Sequence, residues 1–190
     1  MNEIPASRRQ QIETAALQLF CERGFHGTSI PQLAERAGVS AGLLYRYFAS
    51  KEALVNHLYR SWKAQLGQPV EELVRQQPHF RQQFRTFVEQ VIAFADRHPE
   101  AFLFLETHHH APYLDEESGQ ASQAGQGRVL DFLQMGVAQG FLKDLPGPLL
   151  LVLLWGPLVE YVRGVQRGRI VASPTNLVQL EQSLWSSLSA

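Results

Sequence analysis

Apolar residues recur at helical spacing along almost the whole chain, and no stretch alternates between apolar and polar residues as a strand would. The first predicted helix covers residues 8–23. Its apolar stripe consists of Ile12, Ala15, Ala16, Leu19 and Phe20. Ser7 with Gln10 forms the signature of a capping box at its start, and Gly24 suits a left-handed C-cap at its end. The pattern predicts an all-α protein.

Two short helices are predicted next, over residues 30–37 and 41–48, with Pro31 in the first turn of the earlier one. The turn between them holds only residues 38–40 and begins with a glycine. Two short helices joined by a tight turn that contains glycine are typical of a helix-turn-helix. The residues expected to pack inward and to set the crossing angle are Leu33, Ala34, Ala37, Val39, Leu44 and Phe48.

Serine, proline and glycine mark the remaining boundaries more coarsely. Ser50 caps a fourth helix that Pro69 is expected to kink or break, and the polar, Gly- and Ser-rich residues 111–127 are predicted to form a mobile loop. Further helices are predicted over residues 80–97, up to about 109, and over about 128–139, 148–167 and 174–188. The expected fold has about nine helices. An N-terminal three-helix helix-turn-helix domain covers residues 1–50, and a larger helical bundle covers residues 51–190.

Charge is distributed unevenly between the two parts of the chain. Residues 1–63 contain eight Lys or Arg and five Asp or Glu, which leaves +3, whereas residues 64–190 contain nine and thirteen, which leaves −4. A basic N-terminal part on an acidic remainder suits a nucleic-acid reader joined to a body that does not bind nucleic acid.

Composition favours a globular protein inside the cell. Hydrophobic residues make up 45% of the chain and charged residues 18%, which is ordinary for a folded domain. Cys21 is the single cysteine and cannot form an intrachain disulfide. Residues 1–9 hold no apolar run that would indicate a signal peptide, and the apolar stretch 149–159, with Gly156 and Pro157 in it, is shorter than the roughly 20 residues that span a bilayer. We expect a soluble cytoplasmic protein without membrane contact and without a cofactor.

The start and outer face of the third helix carry the candidate DNA-binding residues. They are Ser40, Ala41, Gly42, Leu43, Tyr45, Arg46 and Tyr47. In a helix-turn-helix the second helix of the motif enters the major groove with its N-terminus first. The free amides there, together with the Ser40 hydroxyl, can bind a phosphate, and Gly42 lets the backbone approach DNA closely.

Side chains farther along can add contacts. Tyr45 and Tyr47 can each donate to a phosphate oxygen, and Arg46 can contact a guanine edge or a phosphate. Thr28, before the second helix, and Lys51, at the start of the fourth, are placed for further phosphate contacts.

The N-terminal sequence resembles the TetR family of repressors over roughly residues 8–60. The matching residues are the stripe of the first helix, Gly24-Phe25, Thr28-Ser29, Leu33-Ala34, Ala37-Gly38-Val39-Ser40, Gly42, Tyr45, Tyr47-Phe48 and Lys51-Glu52-Ala53-Leu54. The resemblance implies an all-α homodimer with an N-terminal DNA-binding domain. It also implies a C-terminal effector-binding domain whose last two long helices dimerise.

Two positions depart from the family pattern. Family members often carry a polar or basic residue in place of Ala41 and a small or hydroxylated one in place of Leu43. Leu43 can offer only an apolar contact to a thymine methyl group, so base reading would depend on Arg46.

The resemblance also directs attention to the second half of the chain. The dimer interface would use the helices predicted at about 148–167 and 174–188, with Trp155 and Trp185 at or near it. An unidentified small-molecule effector would bind between helices. The candidate ligand-binding residues are Phe104, His108, Trp155 and Tyr161.

Three consecutive histidines, His108, His109 and His110, raise the question of a metal. Consecutive residues on a helix point about 100° apart, so the three cannot all face one ion. No spacing in the chain matches a zinc pattern either. We therefore predict no metal site.

The predicted function is a ligand-responsive transcription regulator that is not an enzyme. It is expected to be a repressor that binds a palindromic operator on double-stranded DNA as a dimer and is released by its effector. The alternatives are a metal-sensing regulator that uses His108 to His110, a protein-binding adaptor on the same fold, and a helical enzyme that uses the histidines with Glu106 or Asp115.

Overall fold

The computed structural model describes residues 7–76, 79–109 and 111–190. Within those residues the backbone forms nine α-helices. They are α1 (Arg8–Arg23), α2 (Ile30–Ala37), α3 (Ala41–Tyr47), α4 (Lys51–Gln76), α5 (Phe80–Arg97), α6 (Pro99–His108), α7 (Glu116–Ala138), α8 (Gly147–Gln166) and α9 (Pro174–Leu188). An isolated antiparallel bridge between Leu142 and Ser189 is the only extended pairing there. The predicted all-α fold is confirmed.

The first three helices lie where the sequence predicts them, because local hydrogen bonds define their ends. The Ser7 hydroxyl accepts from the Gln10 backbone N–H at 3.2 Å, and the Gln10 side chain accepts from the Ser7 N–H at 2.8 Å. The Ser40 hydroxyl accepts from the Leu43 N–H at 3.1 Å and caps α3, which ends one residue early, at Tyr47.

The fourth helix runs through Pro69 as one element, so of the predicted kink or break the break is wrong, whereas the kink stays a prediction. A proline inside a helix removes one backbone hydrogen bond, and α8 likewise continues through Pro157. Among the described side chains of α4, the buried apolar ones lie in its first turns, well before Pro69. They are Leu54, Val55, Leu58 and Tyr59.

The loop predicted over residues 111–127 is wrong for most of its length, because α7 begins at Glu116. The Asp115 carboxylate accepts from the Ser118 N–H at 2.8 Å and caps the helix. Ser118 and Ser122 are buried, and the Ser122 hydroxyl accepts from the Tyr59 phenol at 3.2 Å. These tertiary contacts outweigh the weak helix propensity of a Gly- and Ser-rich stretch.

The described chain divides into two compact units. Unit 1 comprises residues 7–64, 100–109 and 111–122, and unit 2 comprises the remaining described residues from 65 onward. Unit 1 therefore extends past the predicted domain boundary between residues 50 and 51 and takes in α6. The boundary itself stays a prediction.

Unit 2 contains the pair of helices predicted to dimerise, and its core is rich in phenylalanine. Phe80 stacks on Phe132 with ring centroids 5.0 Å apart. Trp185 of α9 packs edge-on against Phe84 of α5 at 5.2 Å, so its ring is turned toward α5. The carboxylate of Glu181, which is buried, accepts from the Arg81 guanidinium. These contacts hold α9 on α5.

Among the described helices, α8 alone has the length and apolar composition that would allow a bilayer crossing. It exceeds the apolar stretch 149–159 because polar and charged residues extend it at its C-terminal end. A core helix of a globular protein meets the same two criteria, and α8 packs against α5 and α9 within unit 2. The expected lack of membrane contact stays a prediction.

Candidate nucleic-acid interface

The second and third helices are fixed to each other by a short turn and a shared core. Gly38 adopts the left-handed conformation with φ of 64°, and its N–H points back to the carbonyls of Ala34 and Glu35. The Val39 N–H donates to the Ala34 carbonyl at 3.0 Å. Leu33 and Leu44 are fully buried. The turn and the core together leave one face of α3 pointing outward.

That outward face carries most of the residues predicted to contact DNA. Ser40, Ala41, Gly42 and Arg46 are exposed, and Leu43 is half-buried. Tyr45 and Tyr47 expose 53% and 43% of their surface, which is high for aromatic side chains. A Cβ atom added to Gly42 would meet no protein atom within 4 Å. The surface thus offers two phenols, a guanidinium and a closely approachable stretch of backbone.

Thr28 does not belong to this surface. Its side chain is buried, with 2% exposed. The hydroxyl points inward and donates to the carbonyls of Gly24, at 2.8 Å, and Leu19, at 3.2 Å. The predicted phosphate contact by the Thr28 side chain therefore has no support, because its one proton is engaged inside the protein.

Lys51 is also engaged inside the protein. Its ammonium donates to the carbonyls of Phe25 and Thr28, both at 2.7 Å, and lies 4.2 Å from the centroid of the Phe25 ring. These contacts tie the start of α4 to the segment between α1 and α2. The Lys51 side chain thus stabilises the position of this segment. To make the predicted phosphate contact, its ammonium would have to break the hydrogen bonds to both carbonyls.

Two of the four predicted ligand-binding residues lie in the core of unit 1. Phe104 and His108 each expose 1% of their surface, and their ring centroids are 4.4 Å apart. Phe20 of α1 packs on both of them. A ligand could reach these rings only if this core opened, so the pair is better explained by packing.

The other two predicted ligand-binding residues are on α8 in unit 2. Trp155 is half-buried. Tyr161 is buried and lines a cavity of about 140 Å³ together with Asp96 and Val165. Ligand pockets usually measure roughly 300–1,000 Å³, so this cavity is small for a whole effector. The four residues thus fall into two separate units and are not assembled into one described site.

His108 and His109 lie in different environments. His108 is buried, whereas the ring of His109 is half-buried with Nδ1 2.9 Å from the Glu106 carbonyl. His110 lies outside the described residues. Within the part of the chain that the structure describes, no three His, Cys, Asp or Glu side chains converge on a point that could hold a metal ion. The metal-sensing alternative gains no support there.

Sequence analysis did not find the residues that hold the segment between α6 and α7. Asn56, which is buried, donates to the Tyr113 carbonyl and accepts from the Asp115 N–H at the C-terminal end of this segment. Tyr113 stacks on Phe25. The one available signal was Pro112-Tyr113, an apolar pair inside an otherwise polar stretch.

Taken together, the fixed turn, the shared core and the exposed face of α3 define a helix-turn-helix DNA-binding protein. Residues 12–58 match the family described as bacterial regulatory proteins, tetR family. Residues 59–190 match the domain described as tetracyclin repressor-like, C-terminal domain. The chain belongs to the TetR family of DNA-binding transcription regulators, whose members are typically dimers.

Individual relatives agree with this assignment. The HTH-type transcriptional activator FasR of Mycolicibacterium smegmatis is 28% identical over 135 residues, which are 70% of this chain and 62% of FasR. The HTH-type transcriptional repressor KstR2 of the same species is 38% identical over 58 residues, which are 30% of this chain and 28% of KstR2. This chain therefore spans less than two thirds of either relative.

A solved structure extends the agreement in fold to nearly the whole chain. A TetR family transcription regulator from Marinobacter aquaeolei VT8 superposes with a TM-score of 0.85, covering 96% of this chain and 95% of that one. At 21% identity the likeness concerns the fold alone.

Proposed function

We propose that the protein is a cytoplasmic repressor that binds a palindromic operator as a homodimer and is released by a small-molecule effector. The observation that carries the DNA-binding part is the exposure of α3, where Tyr45, Arg46 and Tyr47 all remain exposed around the side opposite the buried Leu44. The relatives include one named as an activator and one named as a repressor. The direction of regulation is therefore part of the proposal.

Contacts by α3 would divide between the DNA backbone and the bases. Tyr45 and Tyr47 would donate to phosphates, which orients the protein without reading sequence. Arg46 would read a guanine edge, and Leu43, with Ala41, would contact thymine methyl groups. Such a sparse set of polar base contacts leaves part of the specificity to DNA shape.

Dimerisation would use α8 and α9. An apolar stripe remains exposed on α8, where Leu149, Val152 and Gly156 follow one another at helical spacing. Val152 exposes 65% of its surface, and Val178 of α9 exposes 43%. Exposed apolar surface of this kind marks an interaction site. A second copy of the chain would cover it and bring two α3 helices onto one operator.

The effector would act by changing how far apart these two helices are held. Half-sites one helical turn apart require a separation of about 34–36 Å. A ligand that favours a different separation lowers DNA affinity by its differential binding to the two states. Trp155 and Tyr161 remain the predicted contacts in unit 2.

Replacement of Arg46 tests the DNA-binding proposal. Arg46→Ala should weaken binding to a duplex selected from a random-sequence pool by about tenfold to a hundredfold and relax preference at one base pair, because one bidentate base contact is lost. Gel shift at about 50 mM salt measures both effects.

Arg97→Ala is the matched control, because Arg97 is an exposed arginine on α5, outside the helix-turn-helix. It should bind like the unchanged protein. A protein that enriches no duplex from the pool, or an Arg46→Ala variant that binds as tightly as the control, would contradict the proposal in favour of a protein-binding adaptor.

A further inference from the structure

The segment between α1 and α2, residues 24–29, leads directly into the helix that crosses the DNA backbone in a helix-turn-helix. We call it the α1–α2 loop. Within the loop, the Thr28 N–H donates to the Phe25 carbonyl at 3.3 Å and the Thr28 hydroxyl donates to the Gly24 carbonyl at 2.8 Å. The Thr28 hydroxyl points inward, and the Lys51 ammonium holds the carbonyls of Phe25 and Thr28. Contacts with α1 and α4 therefore add to the loop's own hydrogen bonds in fixing its position.

One of those neighbours is Tyr113, which comes from the segment between α6 and α7. Its ring stacks on the ring of Phe25 with centroids 3.9 Å apart and planes inclined by 21°. The ring of His26 packs edge-on against the Tyr113 ring, with centroids 5.8 Å apart. Phe25 is 6% exposed, so Tyr113 covers one side of the loop's only buried aromatic ring. Aromatic pairs of this kind add to stability beyond the area that they bury.

Tyr113 is itself held in place from two sides. Its phenol lies 2.5 Å from Nδ1 of His108. Asn56 of α4 donates to the Tyr113 carbonyl at 2.9 Å and accepts from the Asp115 N–H at 2.8 Å. The Arg60 guanidinium also donates to the Asp115 carboxylate at 2.9 Å. Tyr113 is thus anchored before it meets the loop.

The geometry points to Tyr113 as a positioning residue for DNA binding. It would not touch DNA, and it lies outside residues 12–58, where the match to the family's DNA-binding region falls. Its ring, stacked on Phe25, holds the α1–α2 loop and thereby the start of α2, the helix that crosses the DNA backbone in a helix-turn-helix. The inference rests on the proposed DNA contacts of α3 and adds a determinant from the second half of the chain.

Two substitutions test the contribution of the Tyr113 ring and that of its hydroxyl group separately. Tyr113→Ala removes the stack, whereas Tyr113→Phe keeps the stack and loses only the hydrogen bond to His108. Phe141→Ala is the matched control, because Phe141 is a part-exposed ring stacked on the buried Phe80 at 5.6 Å in unit 2. All three variants are made in the full-length protein.

The first readout is binding to a short duplex of arbitrary sequence across a series of salt concentrations. Tyr113→Ala should bind about three to ten times more weakly at every salt concentration and should leave the salt slope unchanged, because no Lys or Arg contact with a phosphate is removed. Tyr113→Phe and the control should retain the affinity and the slope of the unchanged protein.

The second readout is amide hydrogen exchange of residues 24–29 without DNA. Tyr113→Ala should speed exchange there, and Tyr113→Phe should not. Unchanged exchange in Tyr113→Ala would overturn the positioning role, as would a loss of DNA affinity in the control as large as in Tyr113→Ala. If the unchanged protein binds no duplex, the proposed DNA contacts fail, whereas the exchange measurement still decides whether Tyr113 positions the loop.

Discussion

His108 is an uncharged histidine inside unit 1, and its surroundings explain why. The ring lies among Phe20, Phe104 and Tyr113, and 1% of the residue is exposed. Burial lowers the pKa of His108 from 6.5 to about 4. Burial also raises the pKa of Tyr113, so the phenol keeps its proton and can donate it to the neutral imidazole. At neutral pH the pair is an ordinary neutral hydrogen bond in an apolar site.

This histidine should make stability depend on pH. Because the pKa of His108 is lower in the folded state, the unfolded chain binds a proton first as the pH falls below 6.5. The stabilisation is fully present above that pH and is lost progressively down to about 4, where the folded state also takes up the proton. The shift corresponds to a loss of roughly 3 kcal/mol in the free energy of unfolding. Urea unfolding at several pH values measures it.

His108→Gln provides the comparison, because glutamine can accept the phenol's hydrogen bond and does not titrate. Its stability at neutral pH should be lower than that of the unchanged protein, and its decline in stability between pH 6.5 and about 4 should be shallower. Parallel pH profiles for the two proteins would show that another group causes the acid sensitivity.

At the scale of secondary-structure elements, two glycines of the helix-turn-helix have different roles. Gly38 ends α2 with φ of 64°, a conformation that costs other residues energy. Gly42 lies inside α3 with open space where its side chain would be. The first glycine is required by the turn, whereas the second suits a close approach of DNA.

Alanine at these two positions should therefore have opposite effects on stability. Gly38→Ala should lower the free energy of unfolding by about 1 kcal/mol, because alanine is strained in the left-handed region. Gly42→Ala should raise it by up to about 1 kcal/mol through better helix propensity and should weaken DNA binding, because the new methyl group occupies the surface. Thermal unfolding and gel shift on the same samples check both effects. Undiminished DNA affinity in Gly42→Ala would place the DNA away from this part of α3.

At the scale of the whole molecule, dimerisation would determine whether one α3 helix or two can bind an operator at the same time. The exposed apolar stripe of α8 is the proposed interface between two copies. Charge introduced there should be costly, because an unpaired arginine would be buried when the copies meet. A charge placed on exposed apolar surface elsewhere should have no such effect.

Val152→Arg should thus convert the proposed dimer to a monomer and weaken operator binding by about tenfold or more, because the second half-site contact is no longer intramolecular. Val171→Arg is the control: Val171 is 74% exposed but lies between α8 and α9 and outside both helices. Sedimentation velocity reports the oligomeric state. A dimeric Val152→Arg protein would place the interface elsewhere.

The local part of this fold was accessible from the sequence. The start of α1 at Ser7, the stop at Gly38 and the cap at Ser40 are set by hydrogen bonds within a few residues, and they were predicted correctly. The exposed face of α3 followed from the same reasoning, because helical periodicity separates Leu44 from Arg46. Family membership rested on these residues as well.

Only the tertiary structure decided the features that depend on distant partners. Residues 116–127 are helical because Ser118 accepts a hydrogen bond from Arg60 and Ser122 accepts one from Tyr59. These partners are distant in sequence, so local helix propensity does not predict the contacts. Thr28 and Lys51 are of a type and position suited to phosphates, yet both donate to backbone carbonyls of the α1–α2 loop. By itself the sequence determined the helices of the helix-turn-helix and which residues of α3 are exposed for the proposed DNA contacts. The structure decided which polar side chains remain available for DNA, because a donor already paired inside the protein is lost to any ligand outside it.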